Sequence, residues 1–136
     1  MIWADKTHQF TATLCRHTGR PCPAAARMVR KLAAAMTEAE AVTEADFEIT
    51  GTAALSGCAR QCTAKYAASH HSIRLFAGVE ETADADMLHR LADALLDPDG
   101  QPLHGVAKAA VPCAMLDVKP RPGKTADLHS VAHPAA

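Results

Sequence analysis

The chain has 136 residues and an apolar fraction of 49%, which suits one domain with a hydrophobic core and is too short for two. Lysine and arginine together number 14 against 15 for aspartate and glutamate, and the basic residues are scattered, so nucleic acid is not an expected partner. No apolar run approaches the roughly 18 residues of a membrane-spanning helix, and the N-terminal MIWADKTHQF lacks the pattern of a secretory signal; we therefore expect a cytoplasmic protein that does not bind membranes.

The first predicted elements are a strand and a helix. Residues 8–14 alternate between apolar and polar side chains, which predicts a half-buried strand that runs directly into Cys15. A short loop follows, interrupted by Gly19 and two prolines. Residues 24 to about 41 are strong helix formers with apolar side chains near one face, so they predict a helix.

Three strands are predicted in the middle of the chain. Residues 46–54 alternate again and lead into a second cysteine-containing loop. Residues 63–69 and 72–78 then predict an antiparallel hairpin with His70 and His71 at its turn, an ordinary place for polar side chains.

A second helix is predicted from about residue 81 to 96, with Leu88, Leu91 and Leu95 as its buried stripe. Six of the eight prolines lie at or beyond residue 98, where regular apolar spacing ends. We therefore expect one domain over residues 1–98 and an irregular, flexible tail over residues 99–136.

The predicted order is strand, helix, strand, strand, strand, helix. The first helix connects two strands that can pair in parallel. A mixed sheet with flanking helices, of the thioredoxin type, accommodates this order, and we predict an α/β fold of that kind.

The cysteines form the strongest chemical pattern. In a reducing compartment, five cysteines favour metal ligation or redox chemistry over a disulfide framework. Cys15 and Cys22 have six residues between them and Cys58 and Cys62 have three, and each pair follows a predicted strand. If the two strands were parallel neighbours, both loops would leave the same end of the sheet and the four thiolates would converge. Cys113 lies apart, and we expect it to be a small buried hydrophobe.

Four thiolates suit either tetrahedral zinc or an iron–sulfur cluster. Zinc sites mostly have two to four residues between paired ligands, which the first pair exceeds, whereas a [2Fe-2S] cluster accepts wider spacing. Small residues near the cysteines, including Gly19 and Gly57, would let backbone amides approach the sulfurs. Arg16 and Arg60 either offset the thiolate charge or are solvated surface residues.

Residues 10–79 resemble the thioredoxin-like [2Fe-2S] ferredoxins, and more closely a group of uncharacterised proteobacterial metal-binding proteins of that fold. The matching segments are CRHTGRPC (15–22), DFEITG (46–51), SGCARQCTAKY (56–66) and RLFAG (74–78). The resemblance implies ferredoxin-type loops that hold a cluster through Cys15, Cys22, Cys58 and Cys62, and one-electron transfer to a protein partner. Relatives often carry further cysteines where this chain has Ala12 and Ala54, so all four loop cysteines must serve as ligands, or His17 must replace Cys22.

We therefore predict a [2Fe-2S] protein that carries single electrons to a partner whose identity the sequence does not give. Three alternatives stay open: a structural zinc-binding interaction domain, a sensor of oxidation or metal supply, and a domain whose site has decayed, which Ala12 and Ala54 would suit. A homodimer also stays open. The sequence contains no nucleophile elbow, phosphate-binding loop or dinucleotide fingerprint, and we do not expect an enzyme.

Overall fold

A six-stranded sheet with two helices forms the fold in the computed structural model, which describes residues 1–58, 60–96 and 111–121. In chain order the elements are β1 (Ile2–Ala4), β2 (His8–Ala12), α1 (Pro23–Ala39) with a 3-10 turn (Glu40–Val42), β3 (Glu48–Ala54), β4 (Thr63–Ser69), β5 (Ile73–Ala77), α2 (Ala85–Leu96) and β6 (Ala114–Pro120). The prediction of an α/β protein is confirmed.

The strands lie in the order β1-β2-β6-β5-β4-β3, and every neighbouring pair is antiparallel. The prediction of a mixed sheet with a parallel pair is therefore wrong, because β6, β5 and β4 separate β2 from β3. In an antiparallel sheet alternate strands run the same way. Consequently β2, β5 and β3 run in the same direction, and their C-terminal residues lie at the same end of the sheet.

Strand β6 lies where we expected an irregular tail. Its first five residues are all buried, and they read as a continuous apolar run with one aspartate rather than as an alternating pattern. Such a run is typical of a central strand covered on both faces. Residues 111–121 thus belong to the same sheet as the first 96 residues, whereas the predicted boundary at residue 98 lies outside the described part of the chain.

The two helices cover opposite faces of the sheet. Helix α1 packs its buried stripe, including Val29, Leu32 and Met36, against the main core. Leu75 of β5 belongs to that core, whereas its neighbour Phe76 points the other way and packs with α2. Each face of the central strands is therefore closed by a helix.

Helix α2 begins at Ala85, four residues later than predicted, because Asp84 caps it. The Asp84 side-chain carboxylate accepts a hydrogen bond from the Asp86 amide (3.0 Å). The main-chain carbonyl of Asp84 accepts one from the Leu88 amide (3.1 Å). Leu88 and Leu91 are buried as predicted, but Leu95 is 56% exposed. The buried stripe of α2 is thus shorter than its leucine spacing indicates.

A charged pair lies under α2. Arg74 of β5 and Asp117 of β6 are cross-strand partners, with 3.8 Å between the Arg74 guanidinium and Asp117 Oδ2. The same guanidinium reaches Asp93 of α2 at 2.6 Å. Asp117 Oδ1 is buried without a hydrogen-bond partner among the described residues. Burial raises the Asp117 pKa, while the charges of Arg74 and Lys119 oppose that shift.

Candidate metal centre

The first cysteine loop continues from β2 and is closed by backbone hydrogen bonds. Thr13 extends the pairing with β6, since its amide donates to the Met115 carbonyl (3.0 Å) and its hydroxyl accepts from the Met115 amide (2.9 Å). The Cys15 amide donates to the Arg20 carbonyl (2.8 Å), and the Cys15 carbonyl accepts from the Gly19 amide (2.8 Å). Cys15 is therefore held in a tight turn at the end of β2.

The second loop, residues 55–62, connects β3 to β4 through an equally tight turn. The Leu55 amide donates to the Cys62 carbonyl (2.9 Å), and the Gln61 amide donates to the Cys58 carbonyl (2.9 Å). Gly57 and Gln61 both have positive φ, at 89° and 54°. A non-glycine residue in this conformation is strained, and such strain clusters at functional sites.

Cys113 joins these loops at the same end of the sheet. It immediately precedes β6, and its amide donates to the Ala77 carbonyl at the end of β5 (2.7 Å). Its carbonyl accepts from the Arg16 amide (2.9 Å), which ties it to the first cysteine loop. Cys113 is half-buried rather than a fully buried core residue. We call the loops 13–22 and 55–62, together with residues 111–113, the cysteine end.

Four thiols of the cysteine end form a chain of interactions. Cys15 and Cys58 interact electrostatically. Cys58 and Cys62 influence each other's pKa. Cys113 also raises the pKa of Cys62. The antiparallel sheet thus brings three predicted ligands together, although the strands before them are not neighbours, and it adds a fifth cysteine that the spacing argument did not include.

Backbone amides point at two of the sulfurs, as the small loop residues predicted. For Cys15, burial raises the pKa, but the amides of His17 and Thr18 outweigh it and the net shift is downward. For Cys58, the amide of Cys62 is the largest influence; together with the amide of Arg60 it lowers the pKa against the opposing effect of burial. Both sulfurs are therefore prepared to carry negative charge.

Cys62 behaves in the opposite way. Burial, hydrogen bonding to Cys58 and the proximity of Cys113 raise its pKa to about 12. Negative charge on one of these neighbours makes a second charge unfavourable without a cation between them. In the metal-free protein Cys58 is therefore the more easily deprotonated thiol, whereas Cys62 stays protonated at neutral pH.

The Cys22 sulfur does not take part in this chain of interactions, although Cys22, Cys58 and Cys62 pack against the same core. Cys22 is the N-cap residue of α1, and its sulfur accepts a hydrogen bond from the Ala25 amide (3.4 Å). It lines a groove with Trp3 and Arg30 on the α1 side of the sheet. No interaction joins its sulfur to another cysteine within residues 1–58, 60–96 and 111–121.

His17 of the first loop contacts Cys113, since its Nε2 forms a hydrogen bond of 3.1 Å with Cys113 Sγ. Arg16 is not simply solvated, because its guanidinium donates to the Val111 carbonyl (3.1 Å). Arg60 contributes its backbone amide to Cys58. The loop residues around the first cysteine therefore bind the segment that carries Cys113.

His70 and His89 have structural partners outside the cysteine end. His70 and His71 lie at the β4–β5 turn, as predicted, and His70 Nε2 is 2.7 Å from the Thr43 hydroxyl. His89 on α2 contacts the Arg74 guanidinium at 3.2 Å, so it is not on a purely solvated face. The histidines at 104, 129 and 133 lie outside the described residues.

The thiol pKa pattern predicts an order of alkylation in the reduced, metal-free protein. At neutral pH we expect Cys58 to react with iodoacetamide at least about tenfold faster than Cys62, because its thiolate fraction is far larger although each thiolate is less nucleophilic. Trypsin cleavage after Arg60 puts the two cysteines on different peptides, so mass spectrometry of timed samples measures both rates. Unfolded protein, in which the rates should converge, is the control; faster labelling of Cys62 would contradict the assignment.

No group of three His, Cys, Asp or Glu side chains among the described residues surrounds one point that a single metal ion could take. None of the described helices is both long enough and apolar enough to span a membrane. Comparisons of this chain with protein-family models, with curated proteins and with solved structures found no match.

Proposed function

We propose that the chain binds an iron–sulfur cluster of the [2Fe-2S] type at the cysteine end and carries single electrons to a protein partner, without a catalytic role of its own. The observation that carries the proposal is the chain of thiol interactions from Cys15 through Cys58 and Cys62 to Cys113. Thiolates are the donors that iron–sulfur clusters use.

The surroundings of the sulfurs support a cluster. Backbone amides directed at Cys15 and Cys58 would hydrogen-bond to bound thiolates, and such bonds stabilise the more negative, reduced form. When bound, a [2Fe-2S] group supplies a reversible one-electron couple. The protein's part is to hold the sulfurs, to orient the amides and to expose one end of the sheet to a partner.

The pairwise arrangement of the thiols favours a cluster over zinc. One tetrahedral zinc ion with bonds of about 2.3 Å would hold all four sulfurs about 3.8 Å from one another. Here the interactions among the thiols are pairwise, between Cys15 and Cys58, between Cys58 and Cys62, and between Cys62 and Cys113. Two iron atoms, each taking a pair of ligands, suit that arrangement better.

The thioredoxin-like resemblance is the weaker support. The antiparallel sheet differs from the mixed sheet that the resemblance implied, whereas three of the four implied ligands interact with one another. The proposal therefore depends on the cysteines and their amides rather than on the order of the strands.

The proposal is tested by the absorption spectrum and the iron, zinc and sulfide content of protein purified without oxygen. We expect visible charge-transfer bands with equal amounts of iron and sulfide, followed by reversible one-electron reduction in voltammetry. If the protein contains zinc but no sulfide, the cluster proposal is wrong and the structural zinc-binding domain is supported instead. A cluster that forms but decomposes on every reduction would contradict the carrier role and favour a sensor.

A further inference from the structure

We infer that Cys113, and not Cys22, is the fourth thiolate ligand of the metal site, beside Cys15, Cys58 and Cys62. The inference rests on the proposed function in one respect, that the site binds a metal through thiolates. It adds Cys113, which the spacing of the cysteines left out of the site, and it removes Cys22, which that spacing included.

Contacts of Cys113 with both cysteine loops and with the end of β5 support this assignment. Its thiol interacts electrostatically with Cys62 of the second loop and raises the Cys62 pKa. Its sulfur also lies 3.1 Å from His17 Nε2 of the first loop. Backbone hydrogen bonds to Ala77 (2.7 Å) and from Arg16 (2.9 Å) fix its main chain between β5 and the first loop. The Cys113 sulfur is therefore held in place before any metal binds.

The main chain opposite Cys113 leaves room for the sulfur. Gly78 has a φ of +74°, and a Cβ at this position would lie 2.3 Å from Cys113 Sγ. A side chain at residue 78 would therefore force the Cys113 sulfur to shift. Glycine, which the positive φ also favours, thus lets the Cys113 sulfur keep its position.

Cys22 has a different task in the structure. Its sulfur accepts the Ala25 amide at the first turn of α1, where an N-cap acceptor is needed. Together with the prolines on either side, it lines a groove against Trp3 on the α1 face of the sheet. Recruiting its sulfur to the metal would uncap the helix.

The test compares two matched variants, Cys113→Ser and Cys22→Ser, with the wild-type protein. Serine at residue 22 retains an N-cap oxygen, so the helix should persist. Each protein is purified without oxygen for iron and sulfide analysis. Each is also stripped of metal, reduced and titrated with Co²⁺, whose thiolate charge-transfer absorption reports the number of sulfur ligands. Far-ultraviolet circular dichroism checks the fold, and Cys113→Ala is the second variant if Cys113→Ser unfolds.

We expect Cys113→Ser to lower the affinity for Co²⁺ at least about tenfold, since even changes outside the first ligand shell cost about 10- to 100-fold, and to weaken the charge-transfer absorption. Cys22→Ser should match the wild type in both readouts. Loss of binding in Cys22→Ser, or unchanged binding in Cys113→Ser, would overturn the assignment. If the wild type takes up Co²⁺ in a Cys113-dependent way but never holds iron and sulfide, the assignment stands and the proposed cluster fails. If the wild type binds neither, both fail.

Discussion

The Gly78→Ala variant is expected to lose about 3 kcal/mol of unfolding free energy, from the left-handed backbone and from overpacking together. The backbone part arises because φ at residue 78 is +74°, where a Cβ is strained. The packing part arises because that Cβ would lie 2.3 Å from Cys113 Sγ and 3.0 Å from Cys113 Cβ. Cys113 is fixed by backbone hydrogen bonds on both sides and has little freedom to move away. Urea unfolding followed by circular dichroism measures the loss.

Gly19→Ala is the matched control for this variant. Gly19 has nearly the same φ, at +69°, but a Cβ there would meet no atom within 4 Å. Its cost should be the backbone part alone, about 1 kcal/mol. Adding Cys113→Ala to Gly78→Ala should recover part of the larger loss, since it removes the nearest atom. Equal losses at the two glycines would contradict the close approach of Cys113 to Gly78.

Replacing Arg74 with alanine is the second change with a large expected effect. We expect a loss of about 3 kcal/mol, because the buried carboxylate of Asp117 would lose its nearest cation. Asp117 is 8% exposed, and one of its oxygens already lacks a hydrogen-bond partner among the described residues. Lys119 and a backbone hydrogen bond from Val118 would remain to oppose the effect of burial on the Asp117 pKa. Thermal or urea unfolding at about pH 7 measures the loss.

The pH dependence of the Arg74→Ala defect identifies its cause. Burial already raises the Asp117 pKa above its ordinary value of 3.8, so protonation favours the folded state, and this stabilisation is lost as the pH rises through the raised pKa. Without Arg74 the pKa should rise further, and the defect should shrink as the pH falls from about 7 to about 5. Adding Asp117→Asn should remove that trend, because the group whose protonation causes it is then absent.

Asp93→Ala provides the control for the exposed side of this network. Its carboxylate lies 2.6 Å from the Arg74 guanidinium, but the side chain is 65% exposed. A solvent-exposed ion pair contributes about 0.5 kcal/mol, so this variant should unfold almost like the wild type. A large loss in Asp93→Ala with a small loss in Arg74→Ala would place the important interaction on the surface.

Local patterns predicted most of the elements correctly, because each depends on neighbouring residues. The alternation over residues 63–69 and 72–78 gave the β4–β5 hairpin and its histidine turn, and helix-forming residues gave α1. The pairing of β2 could not be obtained in this way. It depends on β6, whose five buried residues show no alternation and stand between prolines that are typical of irregular chain.

The site was predictable to the same degree. Cys15, Cys58 and Cys62 lie together because the strands before the two loops share a direction, a conclusion that holds although the assumed parallel pairing was wrong. Cys22 shares its loop with Cys15, but the helix takes its sulfur as a cap, and loop membership alone does not reveal this. Cys113 directly precedes β6, as Cys62 precedes β4, but because local patterns did not predict β6, they did not reveal this position of Cys113 either.

The position of β6 in the sheet sets the order of events when the chain is made on the ribosome. β6 is the last described strand along the sequence, yet it lies between β2 and β5. Until β6 emerges, no strand pairing connects the β1–β2 hairpin to the β3–β4–β5 meander. The edges of β2 and β5 that later pair with β6 are then unpaired. The arrival of β6 joins these halves and delivers Cys113 in the same step. If Cys113 is a ligand as proposed, a metal donor would meet the complete set of sulfurs only after β6 has joined the sheet.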